Sequence, residues 1–183
     1  MPLSLTPSPR TACACLLCAD HDIDCIAIGV GSKDFPLIGR QPGWDAHSYG
    51  YHSDDGRLFH GSGTRSAAYG PTFGANDVIG CGVCVHSRKI FYTLNGRFLG
   101  VAFTAKASNY PLYPLVGLDS HCSIHFNFGQ LPFVFDLGAL PSDINKVTKK
   151  AAAERGISTV LGAIGTALTV TAGVVGVPLG VGG

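Results

Sequence analysis

Residues 90–103 read IFYTLNGRFLGVAF, and this stretch decides the fold class. Two apolar runs, 90–94 and 97–103, flank the dipeptide Asn95-Gly96. Asn-Gly is a strong hairpin signal because both central residues of a type I′ turn need a positive φ, which Asn and Gly tolerate. The stretch therefore predicts two antiparallel strands joined by a two-residue turn.

The same pattern continues on both sides of this hairpin. Between residues 31 and 129, short apolar runs alternate with Gly, Pro, Asn and Asp, and no long amphipathic helix interrupts them. Strands without crossover helices indicate an all-β, antiparallel β-sandwich. Besides the strand at 78–85, we expect three further hairpins, which pair 12–19 with 25–30, 49–52 with 57–60, and 113–118 with 123–128.

Composition limits the classes of function. The chain has 183 residues, of which 46% are hydrophobic and 14% charged, and its net charge is +1. A nucleic-acid partner is not expected, because no dense Lys/Arg stripe is present. Seven cysteines are an odd number, and no Asn-x-Ser/Thr site occurs, so both observations favour a reducing, cytoplasmic location. The apolar run 11–19 keeps a secretory signal open as an alternative, although it is short and follows several prolines.

The chain divides into four segments. Residues 1–10 form an irregular lead-in, 11–141 the sandwich, 142–156 a short helix that Ser142 caps and Gly156 ends, and 157–183 an uncharged apolar tail rich in Gly, Ala and Val. The tail is long enough to span a bilayer. Three interpretations stay open for it: membrane insertion or association, a packed apolar hairpin, or a poorly ordered or truncated element.

Nine sequence blocks follow one another in a recognisable order. They are IAIGVG (26–31), QPGW (41–44), SYGYHSDDG (48–56), YGPTF (69–73), DVIGCG (77–82), FYTLNG (91–96), LGVAF (99–103), LYPLVG (112–117) and NFGQLPFVFD (127–136). Across residues 26–137 the chain resembles the SPRY domain, in the form carried by Ran-binding protein M and its relatives.

This resemblance implies a bent sandwich of two antiparallel sheets without catalytic activity. Loops at one end would bind a short peptide of a partner protein, because a rigid scaffold loses little backbone freedom on binding. It also implies a role as an adaptor in the GID/CTLH ubiquitin-ligase complex. Two departures stand out: the family's first strands have only a partial counterpart in 11–19, and no LisH, CTLH or CRA helical region follows Ser142.

The resemblance also supplies candidate partner-binding residues by motif alignment. Phe59 can alternatively be a core aromatic, the turn at 119–120 a plain solvated turn, and Trp44 a packing or a binding residue. If the assignment is right, replacing Phe59 or Asp119 by Ala weakens partner binding and leaves the thermal midpoint nearly unchanged. The candidates are Phe59, His60, Asp119, Ser120, Arg40 and Tyr51.

Three groups of residues resemble metal or redox sites. They are Cys13, Cys15, Cys18 and Cys25; Cys81 and Cys84; and His47, His52, Asp54, Asp55 and His60. The first group has one Cys-x₂-Cys spacing but lacks the second such pair of a zinc site. The second group lies in a predicted strand, where side chains three residues apart point to opposite faces and form a disulfide poorly. The third group flanks a turn, where Asp side chains accept hydrogen bonds from backbone N–H groups. We therefore expect no metal, cofactor or catalytic set from these groups.

The sequence thus predicts a cytoplasmic, non-catalytic protein–protein interaction module that recognises a short linear peptide, with a role as a ubiquitin-ligase adaptor. A membrane-anchored adaptor that uses 157–183 and a secreted effector are the alternatives. A fragment or an altered gene product is also kept open, since the opening strands are incomplete and the tail is unmatched. An enzyme is the least favoured interpretation, because no nucleophile elbow, P-loop or dinucleotide fingerprint is present.

Overall fold

The computed structural model describes residues 11–18, 25–84, 87–105, 111–119, 123–129, 131–145, 169–171 and 175–176. It confirms the predicted all-β antiparallel sandwich. A 3₁₀ helix at Leu137–Ala139 and the short helix α1 at Ser142–Asn145 accompany the strands. The strands are β1 Thr11–Cys18, β2 Cys25–Gly31, β3 Ser48–His52, β4 Arg57–His60, β5 Ser66–Ala68, β6 Val78–Cys84, β7 Lys89–Leu94, β8 Arg97–Thr104, β9 Tyr113–Asp119, β10 Ser123–Asn127, β11 Thr169–Thr171 and β12 Val175–Gly176.

The strands form two sheets of six. Sheet A has the order β11-β10-β1-β6-β7-β8, and sheet B has the order β12-β9-β2-β3-β4-β5. The predicted hairpins β3–β4 and β7–β8 are confirmed. Asn95 and Gly96 have φ values of 50° and 78°, as a type I′ turn requires.

Two other predicted hairpins are wrong. β1 lies in sheet A between β10 and β6, whereas β2 lies in sheet B between β9 and β3. β9 and β10 likewise belong to different sheets. In each case two strands that are only a few residues apart in the sequence lie in different sheets. The partial counterpart of the family's first strands is therefore a central strand of sheet A.

The main core lies between the sheets. Alternate residues of each strand point inward, so Ile26, Ile28 and Val30 of β2 face the opposite sheet. Tyr51 and Tyr92 meet across the core with ring centroids 5.2 Å apart, and both rings are fully buried. Close packing of this kind fixes how the outer faces and loop ends are presented.

A second apolar cluster covers the outer face of sheet A. Phe91 points outward from β7, and its ring occupies the space beside Gly82 on β6. The segment around the 3₁₀ helix and α1 packs on this ring, and Ser87 Oγ donates to the Ile144 carbonyl at 2.8 Å. We call this set the sheet A outer cluster; its buried members are Cys84, Phe91, Phe135, Leu140 and Ile144.

The structure describes only part of the C-terminal region about which the sequence makes predictions. Helix α1 spans Ser142–Asn145, and the predicted helical residues after it lie outside the described residues. Within the tail, β11 pairs with β10 and β12 pairs with β9, so these two pieces extend different sheets rather than pairing with each other. Among the residues that the structure describes, no helix is long and apolar enough to span a membrane.

Candidate partner-binding surface

Residues 41–44 (Gln41, Pro42, Gly43 and Trp44) lie flat on the outer face of sheet B, and we call them the covering segment. Glycines make this close approach possible. A Cβ at Gly117 of β9 would collide with the Gln41 side chain, and one at Gly50 of β3 would collide with the Pro42 carbonyl group. The covering segment therefore crosses sheet B from β9 towards β4, and Gly43 reaches the backbone of Phe59.

Hydrogen bonds hold the covering segment in place. His52 Nε2 lies 2.9 Å from the Pro42 carbonyl oxygen, and Gly43 N donates to Ser48 Oγ at 2.8 Å. His52 and Ser48 are both buried residues of β3. Because a central strand supplies the anchors, the segment is ordered before any partner arrives, which reduces the entropy lost on binding.

Phe59 lies beneath the covering segment and outside the main core. Its ring stacks on His52 with centroids 4.1 Å apart, and only 8% of the residue is exposed. The prediction that Phe59 is a partner contact is not tested by this arrangement. The burial does change the expectation for Phe59→Ala, because removal of a buried ring lowers stability.

Trp44 is half-buried at the β4 side of the covering segment. Its indole ring lies 3.1 Å from the position of a Cβ on Gly63 and faces His52 at a centroid distance of 6.4 Å. The indole Nε1 has no hydrogen-bond partner among the described residues. The indole Nε1 is itself buried, so the described contacts of Trp44 are packing contacts, and its role in binding stays a prediction.

Tyr51 and His60 point to the other side of sheet B. Tyr51 is 0% exposed, its hydroxyl donates to the Pro71 carbonyl, and burial raises its pKa to about 12. His60 stacks on Tyr49 at 4.1 Å, and its Nδ1 lies 2.8 Å from the Ser48 carbonyl oxygen. Core side chains enclose Tyr51, and its predicted role as a partner contact stays a prediction.

Arg40 and Asp119 lie at the β9 side of the same outer face. Arg40 is exposed and immediately precedes Gln41, while Asp119 is the exposed last residue of β9. Before Arg40 the loop presents two apolar side chains, Leu37 with 47% and Ile38 with 91% exposure. This edge therefore offers apolar surface next to charges of both signs. Ser120 lies outside the described residues.

Of the predicted residues, Phe59 and Asp119 lie on the outer face of sheet B with Arg40 beside them, whereas Tyr51 and His60 lie on its inner face. The register pairs Phe59 of β4 with Gly50 of β3, Gly50 with Gly29 of β2, and Gly29 with Leu115 of β9. Asp119 lies four residues beyond Leu115 along β9. At about 3.3 Å per residue and about 4.8 Å per strand, Phe59 and Asp119 are about 19 Å apart. An extended peptide of about six residues spans that distance.

Cys25, His52 and Asp54 form a polar cluster beside this surface. Cys25 Sγ lies 3.9 Å from His52 Nδ1 and 3.4 Å from Asp54 Oδ1. Burial, followed by the charge of Asp54, raises the pKa of Cys25 to about 12, and burial lowers the pKa of His52 below 6.5. At neutral pH the thiol is therefore protonated and the imidazole uncharged.

Within the described part of the chain, the other cysteine and histidine groups do not form such a cluster. Cys81 points into the main core, where burial raises its pKa to about 12, and Cys84 points into the sheet A outer cluster. Cys25 and Cys81 are free thiols. The side chains of Cys13, Cys15 and Cys18 lie outside the described part. The sequence did not connect Cys25 with His52, because only the register of β2 and β3 brings them together.

Comparisons with known proteins place this region in a family. The SPRY domain profile matches residues 19–131. Ran-binding protein 10 of Danio rerio is 56% identical over 112 residues, which are 60% of this chain and 18% of that protein. Ran-binding protein 9 of Homo sapiens is 54% identical over 112 residues, which are 60% of this chain and 15% of that protein. Protein ssh4 of Aspergillus clavatus is 40% identical over 111 residues, which are 60% of this chain and 21% of that protein.

The chain spans only about a fifth or less of the length of these curated relatives. A solved structure, described as the crystal structure of a human SPRY domain, superposes with a TM-score of 0.56 and 25% sequence identity. The superposition covers 66% of this chain and 77% of that chain. Sequence and structure comparisons therefore agree on the sandwich.

Proposed function

This chain belongs to the SPRY domain family, and from that premise we propose that it recognises a short segment of a partner protein on the outer face of sheet B. The SPRY domain is a protein–protein interaction module with a non-catalytic fold. We assign recognition to the strip that runs from Arg40 and Asp119 along the covering segment to Trp44.

One observation carries this assignment: exposed groups stand on a segment that buried residues hold rigidly. His52 and Ser48 anchor the covering segment from below, while Ile38 and Arg40 extend into solvent directly before it. Side chains that stand on a pre-ordered support lose little backbone entropy when they bind. A tryptophan edge and an arginine are also frequent energetic centres of protein interfaces. In this proposal Phe59 supports Trp44 from below.

We further propose that the bound partner is brought to a ubiquitin-ligase assembly of the GID/CTLH type in the cytoplasm. The support is the resemblance to Ran-binding protein M, together with the free thiols of Cys25 and Cys81, which suit a reducing compartment. Co-precipitation of the tagged chain with subunits of that ligase from cytoplasmic extract tests this step. Recovery of the partner without any ligase subunit would contradict it.

Arg40→Ala and Asp119→Ala test the proposed surface. A partner is first identified by pull-down with the full chain, and its affinity is then measured for each variant. We expect each substitution to weaken binding by about tenfold, since contacts at an interface centre are worth 1 kcal/mol or more. The thermal midpoint stays nearly constant, because exposed side chains contribute little to stability.

Arg97→Ala is the matched control for Arg40→Ala. Arg97 is also an exposed arginine, but it begins β8 at the far edge of sheet A. It should leave partner affinity unchanged. If Arg97→Ala weakens binding while Arg40→Ala and Asp119→Ala do not, the partner uses the other sheet and the assignment to sheet B is wrong.

A further inference from the structure

We propose that Cys25, His52 and Asp54 form a binding site for a divalent transition metal ion and that Zn²⁺ matches its donor set. The three side chains offer a sulfur, an imidazole nitrogen and a carboxylate oxygen, and these atoms all lie within 4.8 Å of one another. Thiolate, imidazole and carboxylate are the ligands that Zn²⁺ takes in proteins. Neither peptide recognition nor the main core requires this combination.

The spacing of the donor atoms fits a tetrahedral ion. Zn–S bonds of about 2.3 Å and Zn–N or Zn–O bonds of about 2.0 Å, at tetrahedral angles, separate the ligand atoms by about 3.5 Å. The observed separations are 3.9 Å from Cys25 Sγ to His52 Nδ1 and 3.4 Å from Cys25 Sγ to Asp54 Oδ1. All three donor atoms lie within 4.8 Å of one another, so an inward movement of the side chains brings them onto one ion.

The hydrogen bond of His52 to the covering segment leaves the required nitrogen available. A carbonyl oxygen only accepts, so Nε2, 2.9 Å from the Pro42 oxygen, carries the hydrogen. Nδ1 then holds a lone pair directed towards Cys25 Sγ. A metal-bound histidine usually donates its second N–H to a carbonyl or carboxylate, which fixes its tautomer and ring orientation. His52 already has that partner.

The backbone around the cluster is also fixed. Cys25 begins β2, and His52 ends the neighbouring strand β3. His52 is paired with Ala27, two residues from Cys25 on β2. The turn that carries Asp54 is bonded to β2 twice: Ile26 N donates to Ser53 Oγ at 2.7 Å, and Ser53 N donates to the Ile26 carbonyl at 2.8 Å. Ligands on rigid elements keep their geometry better than ligands on a free loop.

Metal binding here involves the loss of one proton. The Cys25 thiol releases H⁺ and its thiolate binds the cation, while neutral His52 and ionised Asp54 bind without a proton change. Two negative ligands then balance the charge of Zn²⁺. The fourth position takes water. Because a proton leaves, affinity should increase as the pH is raised.

Cobalt titration of the reduced full-length chain tests the site. Co²⁺ replaces Zn²⁺ with similar geometry, and a bound thiolate gives a sulfur-to-cobalt charge-transfer band. We expect one equivalent to produce this band and Zn²⁺ to remove it. Cys25→Ser should abolish the band, and Asp54→Asn should weaken Co²⁺ binding by at least about tenfold. Circular dichroism confirms that each variant is folded.

Two matched controls separate this cluster from other donors. Asp55→Asn changes the adjacent carboxylate, which bonds Arg57 and lies outside the cluster, and should leave affinity unchanged. Cys18→Ser removes a cysteine of the N-terminal group and should keep the band. Zn²⁺ should also raise the thermal midpoint of the wild type but not of Cys25→Ser, because a ligand of the folded state stabilises it.

Absence of a thiolate band would overturn the proposal and leave the three residues as a hydrogen-bonded group. A band that survives Cys25→Ser but disappears in Cys18→Ser would overturn it as well, since the ion would then bind the N-terminal cysteines. Neither result affects the proposed peptide surface, which the Arg40 and Asp119 variants test separately.

Discussion

His52 connects three parts of sheet B through one imidazole ring. Nε2 holds the covering segment by the Pro42 carbonyl, Nδ1 faces Cys25, and the ring face stacks on Phe59. An uncharged ring suits the contacts with Cys25 and Phe59, because protonation would remove the lone pair of Nδ1 and place a charge in a buried position. Burial lowers the pKa of His52 accordingly, although the hydrogen bond to Pro42 and the charges of Asp54 and Asp55 favour the charged form to a smaller extent.

The lowered pKa of His52 predicts a loss of stability in mild acid. In the unfolded chain histidine titrates near 6.5, so below that pH the unfolded state binds a proton that folded His52 does not. The free energy of unfolding should therefore decrease as the pH falls below about 6.5, with a slope of at most about 1.4 kcal/mol per pH unit from this group. Urea denaturation between pH 5 and pH 8 (roughly the range of histidine titration) measures it.

His52→Gln is the control, because glutamine retains an N–H donor for Pro42 but does not titrate. Its free energy of unfolding should depend less on pH over the same range. Equal slopes in the two proteins would show that other groups account for the effect.

Some site residues were predictable and others were not. Alternation along β3 and β4 indicates that Tyr51 and Phe59 point to opposite faces, but it does not say which face the core covers. The motif alignment placed Arg40, Phe59 and Asp119, which do share one face. The inward direction of Tyr51 depends on the partner sheet, and the contact of Cys25 with His52 depends on strand register, so neither could be predicted from the sequence.

At the scale of elements, the covering segment explains two glycines of sheet B. Gly50 and Gly117 lie at outward positions of β3 and β9. Polar side chains there would give an ordinary solvated face, whereas Gly50 and Gly117 let backbone and side-chain atoms of the segment rest on the sheet. Glycine in a strand interior weakens the strand. Here that loss is offset because the glycines allow the covering segment to pack closely on the sheet.

Gly50→Ala should loosen the covering segment. The new methyl group collides with the Pro42 carbonyl, which is backbone and cannot turn away, so the segment must lift. We expect a loss of about 1–3 kcal/mol in the free energy of unfolding, as for other overpacked sites, together with weaker partner binding. Gly74→Ala is the control, since nothing lies within 4 Å of its Cβ position. Equal stability of the two variants would mean that the segment does not rest on β3.

Hairpins were predictable where the turn itself carries the signal. Asn95-Gly96 and the turn at 53–56 specify reversal within one sheet, and both predictions are confirmed. The links between β1 and β2 and between β9 and β10 are also short, yet each leads to the other sheet. Apolar alternation is the same in both cases, because strands of either sheet bury one face. Only the packing of the whole sandwich distinguishes them.

At the scale of the whole molecule, three apolar layers stabilise one sandwich. The main core lies between the sheets, the sheet A outer cluster lies on one outer face, and Phe59 with His52 and Trp44 lies on the other. Face-to-face sheets are about 10 Å apart, so side chains on the two outer faces are more than about 15 Å apart. No contact joins Phe59 to the sheet A outer cluster in the described part of the chain.

This separation predicts additive energetics for the two outer layers. Phe59→Leu and Phe135→Leu each remove part of a buried ring, and each should cost about 1–2 kcal/mol. Their combination should equal the sum within about 0.5 kcal/mol, because the residues are distant and share no partner. Phe59→Leu combined with His52→Gln should deviate from additivity by more than that, since those rings stack at 4.1 Å. Urea denaturation of the single and double variants provides both comparisons. Strong coupling between Phe59 and Phe135 would mean that the outer layers communicate through the core, so that substitutions beneath the peptide surface would also loosen the opposite face.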